Sequence, residues 1–145
     1  MKKVIKFFVD EYKWLSNFYN VENRLTVEHI YQAEKAYYLI DKYKILMLET
    51  PGKAKRMGAK ITLRKDWEKI KEKVMFDALT VKFQNEELKQ KLIDTGDAIL
   101  IEGNDWHDNI WGDCICENCK NTNGLNKLGN MLMKIRDELK NENKK

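Results

Sequence analysis

Glu28, Gln32 and Lys35 stand at i, i+4 and i+7 in the chain, so on an α-helix all three project from one face. Apolar side chains surround that stripe. Tyr31, Ala36 and Leu39 flank it, and Ile30, Ala33, Tyr37 and Ile40 take the opposite side. A helix that is apolar nearly all round is buried, and a buried charge must find a partner or face a cavity. A structural reading makes Glu28 and Lys35 an ion pair bridged by Gln32. A chemical reading makes the stripe an active site. Burial lowers the pKa of a lysine towards a neutral, nucleophilic amine, and a carboxylate one helical turn away can move protons.

A second set of reactive types lies between Asp97 and Asp113. The apolar run from Ala98 to Ile101 reads as a buried strand. It breaks into a loop that carries Glu102, Asn104, Asp105, Trp106, His107, Asp108, Asn109, Trp111 and Asp113, with Gly103 and Gly112 supplying backbone freedom. Carboxylates for acid–base work alternate there with aromatics that can stack on flat rings. The plainer reading is a polar connection whose tryptophans cap the core. The stretch from Trp14 to Tyr19, with Asn17 and Phe18 in it, is either one wall of a ring-binding pocket or a hydrophobic lid.

Cys114, Cys116 and Cys119 form a C-x-C-x-x-C cluster seven residues after His107. Three thiolates and one imidazole would close a tetrahedral zinc site. A second C-x-x-C is missing, so the expectation is three free thiols, no metal and no cofactor.

These groups need elements to position them. Lys3–Val9 reads as a strand. Thr26 is a good N-cap for a helix running to about Asp41, with Glu28 in its first turn. A second helix covers about Tyr43–Glu49. A third starts at Thr50 and Pro51 and ends at Gly58. A long fourth helix begins near Asp66, with Trp67, Ile70, Val74, Ala78 and Val81 as its buried stripe and Met75 and Leu79 widening it. Asn85 caps a short helix that Gly96 stops. The last helix buries Leu125, Leu128, Leu132, Ile135 and Leu139, and residues 140–145 read as a disordered basic tail.

With 145 residues, the chain suits one domain that hides roughly two-thirds of its surface on folding. No repeat or linker divides it. Its composition, 43% hydrophobic and 34% charged, is that of a globular protein. A formal net charge of +4 permits an anionic ligand without announcing nucleic-acid binding. No apolar run reaches membrane-spanning length, and an acidic residue comes too early for a signal peptide. An odd number of cysteines without an export signal points to the cytoplasm. The oligomeric state is not legible.

The motifs fall in a recognisable order. Trp14 to Tyr19 is followed by Glu28, His29, Gln32, Ala33 and Lys35 in an EH-x-x-QA-x-K pattern. Ala54 to Gly58, Trp67, then Met75, Ala78, Leu79, Lys82 and Phe83 come next. Leu100, Ile101 and Glu102, Trp111, Gly112 and Asp113, and a final stretch from Asn126 to Arg136 complete it. Across about residues 6–139 the chain resembles a NADAR domain, the YbiA-like N-glycosidase family. The resemblance implies a single helix-rich α+β domain with a few short strands, and hydrolysis of the bond between a ribosyl C1 and a nitrogen. It implies that Glu28, Gln32, Lys35, Glu102, Trp111 and Asp113 line the site, with Asn17 and Phe18 beside them. Asp108, in the same loop, joins the binding set.

Two substrate classes follow from the resemblance. One is ADP-ribose on guanine in DNA or RNA, removed in the manner of an antitoxin. The other is a phosphoribosylamino intermediate of riboflavin synthesis. A non-catalytic ADP-ribose reader is the third alternative, disfavoured because a buried Glu–Gln–Lys stripe is costly to keep without chemistry. Lys35 and Glu28 are expected to be catalytic and the others to bind substrate. The cysteine cluster stands where shorter-loop relatives carry a Gly/His-rich stretch.

Overall fold

The structure is a computed structural model that describes residues 2–21 and 25–144. In chain order it contains β1 (Val4–Ile5), a 3-10 helix (Asp10–Leu15), α1 (Val27–Glu34), α2 (Leu39–Leu46), α3 (Pro51–Gly58), α4 (Trp67–Lys82) and α5 (Glu86–Asp94). It continues with β2 (Ile99–Leu100), β3 (Gly103–Asn104), β4 (Asp113–Cys114), a 3-10 turn (Glu117–Cys119) and α6 (Lys127–Asn143). This is the helix-rich α+β architecture that the sequence predicts. Residues 16–82 form one unit, and residues 1–15 with 83–145 form another.

The 16–82 unit holds α1 to α4, with α1 packed against the other three. Thr26 caps α1: its hydroxyl accepts the His29 amide at 3.1 Å, and its own amide reaches His29 Nδ1 at 3.4 Å. His29 Nε2 lies 2.9 Å from the Leu48 carbonyl, which fixes the ring as a structural group with Nε2 as donor. Ala33, Ile45 and Ala54 form a small core beneath Leu46, Leu48, Met57 and Ile61.

The helix expected to reach Asp41 ends at Glu34. A competing set of backbone hydrogen bonds takes over there. The Arg64 amide donates to the Lys35 carbonyl at 2.8 Å, the Tyr37 amide donates to the Thr62 carbonyl at 2.9 Å, and Ala36 bridges Leu63. The chain restarts as α2 at Leu39, four residues before the expected Tyr43, and leaves Tyr37, Leu39 and Ile40 exposed. Apolar cover therefore surrounds the stripe only along α1. In α4 the buried face is Trp67, Met75, Ala78 and Leu79, while Ile70 and Val74 are half-buried and Val81 is exposed.

In the other unit, β1 pairs in parallel with β2, Ile5 opposite Leu100. The expected strand Lys3–Val9 is thus only two residues long, and the Lys6 carbonyl already turns to accept the Gly103 amide at 2.7 Å. Helix α6 packs on β2 and α5. It comes close because Gly129 has no side chain: a Cβ there would sit 2.1 Å from the Leu100 carbonyl. Asn126, in the left-handed region at φ 50°, precedes α6. Its side chain accepts from the Glu102 amide and donates to the Leu100 carbonyl, each at 2.9 Å. Leu125, expected in the buried stripe of that helix, lies before it and is exposed. The helix itself continues through Asn143, so helical backbone occupies most of the expected tail. Among the described residues no helix is long and apolar enough to cross a membrane.

Candidate active site

The expected stripe forms on α1. Glu28 is 8% and Gln32 4% exposed. The Gln32 side-chain amide donates to Glu28 Oε1 at 2.7 Å. The Glu28 backbone amide donates to the Asn17 carbonyl at 3.1 Å, which ties the Asn17 segment to the first turn of α1. Asn17 is itself buried and directs its amide at Met75 Sδ, 3.4 Å away. Gln32 Oε1 and Asn17 Oδ1 are buried acceptors without a hydrogen-bond partner. Each such orphan costs about 1–3 kcal/mol. Gly58 makes room for this arrangement, because a Cβ at that position would meet Gln32 Oε1 at 1.9 Å.

Lys35 follows the last turn of α1 as its C-cap and is half-buried. Its backbone remains in the right-handed helical region at φ −63° and ψ −26°, so the helical spacing from Glu28 and Gln32 survives although α1 has ended. Its Nζ lies 5.5 Å from the centre of the Tyr31 ring. Burial holds the ammonium below the usual lysine pKa. Glu28 opposes that shift, and the positive charges of Lys55 and Lys71 reinforce it. Among the described residues Glu28 and Lys35 form no ion pair, and Gln32 takes the carboxylate instead. The stripe is therefore a carboxylate with an oriented amide partner, beside a lysine biased towards the neutral amine. Phe18, next to Asn17, is 44% exposed.

The remaining candidates lie in the other unit. The Glu102 carbonyl accepts the Asp113 amide at 2.9 Å, which belongs to the β3–β4 pairing. Asp113 Oδ1 accepts the Gly124 amide at 3.0 Å, and Oδ2 lies 3.6 Å from Lys6 Nζ. Asp108 Oδ1 accepts the amides of Ile110 and Trp111, at 3.1 and 2.9 Å. That is a side-chain-capped turn, so this carboxylate shapes the loop and sets the backbone of Trp111. Trp111 is half-buried.

Lys71 is the electrostatic neighbour of Lys35 that sequence reasoning missed. It comes from α4, and no local spacing links the two. The Tyr31–Lys35 contact has a local signal, since the two residues are four apart.

A family model described as NADAR domain matches residues 6–140. The chain is 41% identical over 119 residues to the N-glycosidase YbiA of Shigella boydii, covering 79% of this chain and 69% of that protein. It is 38% identical over 122 residues to an N-glycosidase of Nostoc punctiforme, covering 80% of this chain and 74% of the relative. A maize protein named riboflavin biosynthesis protein PYRR, chloroplastic, is 32% identical over 128 residues, 79% of this chain but 19% of the longer protein. The solution structure of Escherichia coli YbiA superposes with a TM-score of 0.82 at 36% identity, covering all of this chain and 90% of that one. The chain belongs to the NADAR domain family.

Proposed function

We propose that this chain, a glycosidase-type enzyme, hydrolyses the bond between a ribosyl C1 and a nitrogen, with Lys35 and Glu28 carrying the chemistry. The supporting observation is the buried stripe: Glu28 held by Gln32, two orphan acceptors beside it, and Lys35 pushed towards a neutral amine. Breaking an N-glycosidic bond builds positive charge on the ribose, which a nearby carboxylate stabilises. Lys35 Nζ attacks C1, and the leaving nitrogen departs with the bonding pair and a proton delivered through Glu28. The lysine–C1 adduct opens the sugar ring to a protonated Schiff base. Water then hydrolyses it, releasing the ribosyl product and restoring the amine. Asn17, Phe18 and Gln32 are the proposed binding residues of the stripe's own unit, and Glu102, Asp108, Trp111 and Asp113 are those proposed for the other unit. A cytoplasmic setting suits the three free cysteines.

The substrate we favour is ADP-ribosyl-guanine in nucleic acid. Lys55 and Lys71 place positive potential at Lys35, which suits the phosphate of either substrate class, and the wider basic segment is what favours nucleic acid. Lys53, Lys55, Arg56, Lys60 and Lys65 are exposed on and after α3. Part of this basic segment is already neutralised, Lys53 by Glu49 at 3.1 Å and Arg64 by Asp66 at 2.6 Å. A second reading, hydrolysis of a phosphoribosylamino riboflavin precursor, is favoured by the similarity to the maize protein of riboflavin biosynthesis.

Charge reversal at Arg56, Lys60 and Lys65, exposed cations that are not among the charges acting on Lys35, separates the two readings. It should slow release of ADP-ribose from modified DNA, with a weakened salt dependence, and spare a phosphoribosylamino substrate. Equal loss on both substrates removes the nucleic-acid role. Turnover of neither substrate by the wild-type protein removes both substrate readings, and ADP-ribose binding without turnover supports a reader.

A further inference from the structure

The segment between β3 and α6 carries a constellation that the hydrolysis does not use. His107 Nδ1 lies 3.3 Å from Cys116 Sγ and 3.5 Å from Cys119 Sγ. The ligand atoms of His107, Cys114, Cys116 and Cys119 all fall within 4.8 Å of one another. We propose that these four side chains hold one zinc ion in a closed, structural site. Zinc–sulfur bonds of about 2.3 Å and a zinc–nitrogen bond of about 2.0–2.1 Å place tetrahedral ligands roughly 3.6–3.8 Å apart. The two imidazole–sulfur separations already match. Closing the widest pair needs a contraction of only about 1 Å.

Chain geometry brings the four together from separate pieces. Cys114 ends β4, Cys119 ends the 3-10 turn, Cys116 lies between them, and His107 comes from the preceding loop. His107 is at φ 68°, a left-handed backbone that a non-glycine residue adopts where its surroundings impose it, often at a ligand clamp. Three N–H groups are aimed at the sulfurs. The His107 and Cys116 amides point at Cys114 Sγ from 3.3 and 3.4 Å, and the Asn109 side chain points at Cys119 Sγ from 3.4 Å. Asn109 Oδ1 also accepts the Cys114 amide at 2.9 Å. This is the outer shell that orients metal-bound thiolates.

The donor set decides the ion. Three thiolates and an imidazole reject hard cations such as magnesium and calcium and suit zinc. Four protein ligands leave no open position for catalysis. Cys114 and Cys119 are buried, Cys116 is half-buried and His107 exposed, so the ion enters from the histidine side. Binding releases the thiol protons and ties Asp113, next to Cys114 in β4, to a rigid point.

The test begins with protein produced with zinc supplied and purified under reducing conditions. Elemental analysis should find about one zinc per chain, with all three thiols unreactive until a chelator removes the metal. Cobalt substituted for zinc should show the intense visible absorption of a tetrahedral thiolate site. His107→Ala, at an exposed position, should keep the helical circular dichroism. It should weaken zinc affinity by at least about 100-fold in competition with a chromophoric chelator, and Asn109→Ala by about 10–100-fold. Substoichiometric zinc with three freely titrating thiols in folded protein overturns the proposal, as does a disulfide found by mass. Unchanged affinity in His107→Ala overturns the four-ligand site.

Discussion

Helix α1 gathers Glu28 and Gln32 by helical repeat and leaves Lys35 one residue past its end, whereas the segment after β3 assembles its polar groups without any repeat. In the first region the backbone bonds are local, and the side chains have only to be buried. In the second, Asn104, Asp108, Asn109 and Asn126 hold the backbone by side-chain hydrogen bonds, and His107 and Asn126 adopt left-handed conformations. A regular element can keep a half-buried lysine and a buried carboxylate in one helical register because its scaffold does not depend on them. A loop of this kind needs each of its cross-links, and a metal would be one more. The helical stripe should therefore be sensitive in rate and tolerant in fold, and the loop the reverse.

The largest effect is expected at Lys35. Lys35→Arg keeps the positive charge, but its guanidinium stays protonated and cannot act as a nucleophile. The cleavage rate should fall at least about a hundredfold to ten-thousandfold while ligand binding and the melting temperature stay close to wild type. A large drop in melting temperature would erase the contrast between the two regions.

Gly58→Ala sharpens it from the packing side. Alanine gains up to about 1 kcal/mol of helix propensity, but its Cβ would meet Gln32 Oε1 at 1.9 Å, and overpacking of this kind costs about 1–3 kcal/mol. Net destabilisation in chemical unfolding, with loss of activity as Gln32 leaves Glu28, is the expected result. A stabilised and fully active variant would mean that the Gln32–Glu28 hydrogen bond is dispensable.

The smallest effect is a pH shift. Lys35 reacts as the neutral amine, so the rate should rise as pH passes through its lowered pKa. Removing a like charge in Lys71→Met raises that pKa and should move the limb to higher pH, since Lys71 helps to lower it. The same lowering means that the unfolded chain binds more protons than the folded one between the two pKa values of Lys35. Its contribution to stability therefore grows as pH rises through that window. A rate profile that does not respond to Lys71→Met would separate Lys35 from the observed titration.

The stripe was legible because helical spacing and apolar flanks are local properties, and Thr26, Thr50 and Asn85 announced their helix starts by their side chains. The end of α1 was not, because the Lys35 carbonyl is claimed by Arg64, nearly thirty residues away, and nothing in the local pattern signals that pairing. Asp108 shows the opposite limit. A carboxylate in a polar loop reads as a substrate group, yet its oxygen serves the amides of Ile110 and Trp111. The cysteine spacing with His107 suggested a metal set, but the missing second C-x-x-C pointed to free thiols, and spacing alone does not show how near the imidazole comes to the sulfurs.

Lys35 as the nucleophile is the central claim, and borohydride trapping reads it most directly. Borohydride added during turnover should reduce the Schiff base to a stable secondary amine, and peptide mass analysis should place one ribosyl adduct on the peptide carrying Lys35. Lys35→Arg protein treated alike should carry none. Wild-type protein that turns over its substrate in borohydride without any adduct, or an adduct on another lysine, would contradict covalent catalysis by Lys35 and leave Glu28 as the leading catalytic group.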